Sequence, residues 1–176
     1  NIRRLGLRLS ELELDVNGTV RNFAKPVLDL SAAAKPFGFD AIARLLPAAQ
    51  KALASSPAKA SGDGKFTAYL KGGAERLDGA LDLSLLGVKL DGPGMRLLGD
   101  LRVQAKVKGD PKQDVVASVL FDADQSTIQV KDVLNKTPTT PMRFELSATR
   151  KRDLVEIHKL ALRFAELRLD ADGRFD

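Results

Sequence analysis

LGLRLSELELDVNGTVR, residues Leu5 to Arg21, returns at the other end of the chain as LALRFAELRLDADGRFD, residues Leu160 to Asp176. The two stretches share eight identities at one offset of 155 positions: Leu5/Leu160, Leu7/Leu162, Arg8/Arg163, Glu11/Glu166, Leu12/Leu167, Leu14/Leu169, Asp15/Asp170 and Gly18/Gly173. Four of the eight are leucines, spaced by two on either side of Glu11, which is the pattern of strands with one apolar face. Self-similarity at a fixed distance marks stacked units that do not bury their apolar faces alone. The chain therefore reads as a piece cut from a repeating β array, with any anchor or export signal expected in sequence outside it.

The same alternation runs outward from both copies. It continues through Leu28, Leu30 and Ala32, through Phe66, Ala68 and Leu70, and through Leu77, Gly79, Leu81, Leu83 and Leu85. It resumes in Met95 to Val107, Val115 to Phe121, Met142 to Ala148 and Val155 to Phe164. Turn chemistry separates the runs at Gly72-Gly73, Gly92-Pro93-Gly94, Gly109-Asp110-Pro111, Asp122 to Ser126 and Asn135 to Pro141. Sequential strands with short links pair as an antiparallel meander.

One stretch breaks the period. Ile42, Leu45, Leu46, Ala49 and Leu53 fall at helical spacing behind Asp40 as N-cap, and Pro47 interrupts them, so a short kinked amphipathic helix is expected over 40–54. The Ala, Ser, Lys, Pro, Gly and Asp of 54–64 read as a linker. The expectation for 1–176 is a single, mainly β domain. It is a long curved antiparallel sheet, either an open groove or a partly closed sandwich, carrying that one helix.

Composition narrows function by exclusion. The 176 residues include no cysteine, so disulfides and thiolate chemistry are absent. The net charge of +5 and pI near 9.6 suit an anionic partner, but basic and acidic residues alternate, and the one tight cluster, Arg150-Lys151-Arg152, falls at an expected hairpin tip. With no Trp and one Tyr there is little to stack on bases, so no nucleic-acid partner is expected. His158 is the only histidine and lies on the polar phase of its strand, which removes histidine triads and multi-histidine metal sites. Asp170-Ala171-Asp172-Gly173 lacks the spacing of a calcium loop, and Gly92-Pro93-Gly94 lacks the ending of a phosphate loop. No enzyme activity, metal or cofactor is expected.

Leu14 to Ala48, LDVNGTVRNFAKPVLDLSAAAKPFGFDAIARLLPA, resembles the repeated segment of the AsmA-like family of bacterial envelope proteins. The likeness lies in a strand ending Gly-Thr-Val-Arg-Asn-Phe, then Lys-Pro, a Leu-Asp-Leu strand and an Asp-Ala helix closed by Leu-Leu-Pro-Ala. Gly79 to Leu90 and Leu160 to Phe175 are similar in style. The resemblance implies a bent sheet with an apolar concave face, in a periplasmic protein whose parent is anchored in the inner membrane. It further implies a role in lipid transport and outer-membrane assembly, with phospholipid acyl chains, neighbouring repeats and envelope proteins as partners.

One short helix does not cover the apolar faces of so many strands, so the sheet must curl, pack as two layers or leave a lined groove. The residues expected to line such a groove are Leu81, Leu83, Leu85, Leu101, Val103, Val119, Phe121, Phe144, Leu146, Leu162, Phe164, Leu167 and Leu169. The same residues would equally form the sealed core of a non-catalytic structural or protein-interaction module.

Overall fold

The computed structural model describes residues 2–9, 12–22, 24–39, 59–92, 94–152 and 154–175. Their strands are β1 (Ile2–Leu9), β2 (Leu12–Arg21), β3 (Val27–Ala34), β4 (Phe37–Gly38), β5 (Lys59–Gly72), β6 (Leu77–Gly92) and β7 (Met95–Gly109). After these come β8 (Asp114–Asp122), β9 (Ser126–Val130), β10 (Leu134–Lys136), β11 (Met142–Lys151), β12 (Leu154–Phe164) and β13 (Leu167–Phe175). All belong to one antiparallel sheet, whose main path runs β1-β2-β3-β5-β6-β7-β8-β11-β12-β13 and does not close into a barrel. Where the expectation allowed a groove or a sandwich, the described residues form a single open sheet.

The repeat is structural as well as sequential. In the β1·β2 hairpin Ile2, Leu5, Leu7 and Leu9 pair with Gly18, Val16, Leu14 and Leu12. In β12·β13 Ile157, Leu160, Leu162 and Phe164 pair with Gly173, Ala171, Leu169 and Leu167. Each pair maps onto its counterpart at the same offset, and each hairpin carries its register shift at the same place, between Ile2 and Leu5 and between Ile157 and Leu160. One hairpin thus forms both edges of the sheet.

Register then sorts the side chains. Directly paired residues lie on one face of a sheet, and one row can be followed through all ten strands of the path: Leu5, Val16, Ala32, Ala68, Leu81, Ala105, Val119, Leu146, Leu160 and Ala171. The row two residues away is Ile2, Gly18, Leu30, Leu70, Gly79, Val107, Ala117, Ala148, Ile157 and Gly173. On the other side Phe66, Leu83, Val103, Phe121, Phe144, Leu162 and Leu169 continue in register, with Leu7, Leu14 and Ala34 in the first three strands. The intervening row is polar for most of its length, with Asp15, Thr67, Asp82, Gln104, Glu145 and Asp170 beside Leu120 and Ala161. The sheet therefore has an apolar face and a polar face, as period-two alternation requires.

Among the described residues, one end of the apolar face is sealed. Phe37 and Phe39, leaving β3, pack over Leu85, Val88 and Leu90, with Ala34, Phe66, Leu83, Met95, Leu97 and Leu101 around them. The ring of Phe37 lies directly on Gly64, where a Cβ would come within 1.9 Å of Phe37 Cε2. Only glycine permits that approach. Gly64 also marks a correction: residues 59–64, expected as linker, form the first part of β5 and pair with the second half of β6. The helix expected over 40–54 lies outside the described residues, as does the rest of the linker up to residue 58. Asn135 and Lys136, expected in the turn from Asn135 to Pro141, belong with Leu134 to the short strand β10.

On the side away from β6, β7 serves two neighbours: its second half pairs with β8, while Met95 to Gly99 pairs with β9. The β9–β10 hairpin so placed is held by a buried lysine. Lys136 is fully excluded from solvent, and its Nζ donates to the carbonyl oxygens of Ser126 (2.6 Å), Asp124 (3.0 Å) and Thr137 (3.1 Å). Burial pulls the ammonium pKa below the ordinary lysine value, and the nearby Asp124 and Asp122 oppose that shift.

Candidate functional site

The centre of the apolar face holds a shallow hollow of about 360 Å³. Leu70, Gly79, Leu81, Ala105, Val107, Ala117 and Val119 line it, from four consecutive strands of the path, β5 to β8. It exists because small residues meet there: Gly79, Ala105 and Ala117 sit on three adjacent strands in two neighbouring rows. A Cβ on Gly79 would approach Leu70 Cδ1 to 3.0 Å and Val107 Cγ1 to 3.2 Å, so any side chain would close the floor. The next row is bulkier, with Leu83, Val103, Phe121 and Phe144, and bounds the hollow on the side of the sealed end.

The residues expected to line a groove are brought onto one face, but unequally. Leu81 and Val119 line the hollow, and Leu146 extends their row. Leu83, Val103, Phe121, Phe144, Leu162 and Leu169 make up the adjoining row. Leu85 and Leu101 pair with each other at the sealed end, where Leu85 is buried and Leu101 packs on the cluster. Phe164 and Leu167 pair with each other at the far hairpin, and Leu167 is exposed. The sequence reading missed Leu70, Gly79, Ala105, Val107 and Ala117. Their alternation was visible, but only lateral register puts the small ones side by side.

The ion pairs among the described residues lie on the other face and at the hairpin tips. Arg102 and Gln104 both donate to Asp82, at 2.8 and 2.5 Å, and Lys159 and Arg143 both pair with Glu145. Lys151 and Arg174 pair with Glu156 at 3.2 and 3.0 Å. The guanidinium of Arg102 holds Asp82 below the usual carboxylate range, the ammonium of Lys159 does the same for Glu145, and that of Lys151 for Glu156. Apart from Arg143–Glu145, which runs along β11, these are lateral cross-strand contacts, and their exposure to solvent keeps them weak. His158 is exposed at the β12 bulge with its Nε2 2.6 Å from Thr149 Oγ1. Among the described residues no three His, Cys, Asp or Glu side chains converge as a metal site, and no helix is long and apolar enough to cross a membrane.

Among known protein families, characterised proteins and solved structures, the chain has no match. The apolar face and its dimensions carry the functional argument. Ten strands leave nine intervals of about 4.8 Å, so each row runs roughly 43 Å across, and three rows make a band about 14 Å tall. A band on the order of 600 Å² is at the upper end of the largest apolar patches on monomeric proteins, and patches of that size are commonly functional.

Proposed function

We propose that the apolar face binds phospholipid acyl chains, and that the chain is one segment of a periplasmic, AsmA-like protein. The observation that supports this most is the register itself, which aligns three apolar rows across the sheet and leaves them uncovered, among the described residues, beyond the Phe37–Phe39 end. One leaflet of bilayer hydrocarbon is about 15 Å deep, half of the full core, so an acyl chain lying along a row spans only a few strands. Each methylene removed from water contributes roughly 0.8 kcal/mol. The hollow at Gly79, Ala105 and Ala117 is where a chain sinks deepest, while the headgroup stays in water beyond the rows. No catalytic group or cofactor is needed for this role.

In this reading the parent protein is held at the inner membrane, neighbouring repeats and envelope proteins are its partners, and the segment contributes to outer-membrane lipid homeostasis or assembly. Purified without detergent and extracted with organic solvent, the protein is expected to release phospholipid in stoichiometric amount, detected and assigned to a headgroup by mass spectrometry. A lipid-free extract from folded protein would instead favour a non-catalytic module whose apolar face docks a protein.

A further inference from the structure

Of the three cations at the Arg150-Lys151-Arg152 tip, one stands on the apolar face. The row of Leu70, Gly79, Val107 and Ala117 floors the hollow, and two residues nearer the tips the register aligns Gly72, Leu77, Gly109, Val115, Arg150 and Val155 on consecutive strands of the path from β5 to β12. Arg150 is the one charged residue among them. It sits directly opposite Val115 of β8 and two residues beyond Ala148, which is itself paired with Ala117 of the hollow. Lys151 falls on the opposite phase and pairs with Glu156 at 3.2 Å. No described carboxylate pairs with Arg150, whose Nε donates to the carbonyl oxygen of Arg152 at 3.0 Å.

We infer that Arg150 holds the phosphodiester of the phospholipid whose acyl chain occupies the hollow, so that the headgroup lies at the β7–β8 and β11–β12 tips and the chain runs from β8 toward β5. This rests on the acyl-chain reading above and gives that site its polar end. The lengths agree. Three strand spacings of about 4.8 Å take a chain about 14 Å from β8 to β5, against about 15 Å for the hydrocarbon of one leaflet. The chemistry agrees as well: with Nε engaged, the terminal nitrogens of the guanidinium are left for an anion, and their planar fork matches two phosphate oxygens. An arginine at the margin of an apolar surface lays its stem on that surface and carries its head to the water, which is where a lipid phosphate sits.

The position of Arg150 is fixed by the fold. The Arg152 amide donates to the carbonyl oxygen of Gln113 at 2.9 Å, which ties the β11–β12 tip to the β7–β8 tip, and Arg152 takes a left-handed φ of 55° to do so. Gly109, between the hollow and these tips on β7, admits no side chain, because a Cβ there would come within 2.0 Å of the Asp114 carbonyl oxygen. The β5 side of the same row has Gly72 and Leu77 and no cation, so only one end of the hollow meets a positive charge. On the polar face the corresponding cations are taken: Arg102 pairs with Asp82, and Arg143 and Lys159 pair with Glu145.

Two ligands with the same chains separate the headgroup from the tail. Delipidated protein is titrated with dioctanoyl phosphatidylglycerol and with dioctanoylglycerol, which has no phosphate. The unmodified protein is expected to bind the phospholipid about tenfold more tightly, the size of a charge-assisted bond at a partly wet site. Arg150→Gln should erase that preference by weakening the phospholipid alone, and its retained affinity for dioctanoylglycerol shows that the variant is folded. Arg150→Lys should keep part of the preference. Lys65→Gln, which removes the same charge from an exposed position on the polar phase of β5, should change neither affinity. If Arg150→Gln still prefers the phospholipid, or Lys65→Gln loses the preference equally, the role of Arg150 is overturned while acyl-chain binding stands. If the unmodified protein binds neither ligand, the acyl-chain reading fails and this inference falls with it.

Discussion

The Val103→Glu variant is expected to keep its sheet and lose its lipid. Val103 pairs with Leu83 on one side and Phe121 on the other, in the row beside the hollow, and is only half-buried. In the free protein a carboxylate there remains in contact with water, so the cost to folding is about 1 kcal/mol, the size of a strand-position preference. A bound acyl chain would strip that water from an unpaired charge, at a cost of several kcal/mol. Binding should therefore fall by at least about 100-fold, since each 1.4 kcal/mol is a factor of ten. Phospholipid per chain measures the first effect and the urea midpoint the second. Leu83→Glu is the weaker experiment, because Leu83 also packs against the Phe37–Phe39 cluster and its loss costs stability independently of lipid. A Val103→Glu protein that unfolds would point to a covered face, and one that keeps its lipid would place the binding elsewhere.

The largest loss of stability is expected at a residue in the β9–β10 hairpin that does not line the hollow. Lys136→Met removes the ammonium that bridges the carbonyls of Asp124, Ser126 and Thr137. Ser126 and Lys136 are both fully buried, so at least one carbonyl is left without a donor where water does not readily enter. Breaking charge-assisted bonds at a buried site costs about 3 kcal/mol. The methionine matches the lysine in length and recovers part of the packing. The urea midpoint should fall accordingly, with lipid content per folded chain unchanged. A variant as stable as the original would mean that the β9–β10 hairpin is held by its strand pairing alone.

Much of this molecule can be read from its sequence because a strand has period two. Leu81, Leu83 and Leu85 alternate with Asp82 and Ser84, and the alternation assigns them a face whatever the neighbours are. The repeat likewise predicts matching hairpins, and the pairings of Ile2 with Gly18 and Ile157 with Gly173 extend it beyond the quoted stretch. What alternation does not contain is lateral register. Bulges between Ser61 and Asp63, Leu85 and Val88, and Ile157 and Leu160 each shift the pairing, so the meeting of Gly79, Ala105 and Ala117 on one floor depends on partners far away in sequence.

Composition misled at residues 59–64, where Lys, Ala, Ser, Gly and Asp suggest a linker. The second half of β6 supplies a pairing edge, and tertiary context overrides a weak local preference. Lys136 was unreadable for the opposite reason. A lysine among threonines and prolines looks like a solvated turn, and only the carbonyls of Asp124 and Ser126, brought in by folding beside that of the adjacent Thr137, make it a buried anchor.

Photolabelling locates the bound acyl chains, which the proposal lays along the apolar rows. The protein is loaded with a phosphatidylethanolamine carrying a diazirine midway along one acyl chain, irradiated and mapped by peptide mass spectrometry. Adducts are expected on β6, β7 and β8 at or beside Leu81, Val103 and Val119, and are expected to be lost in Val103→Glu. Adducts on the polar face around Asp82, Gln104 and Glu145, or none from protein that retains the lipid, would contradict it.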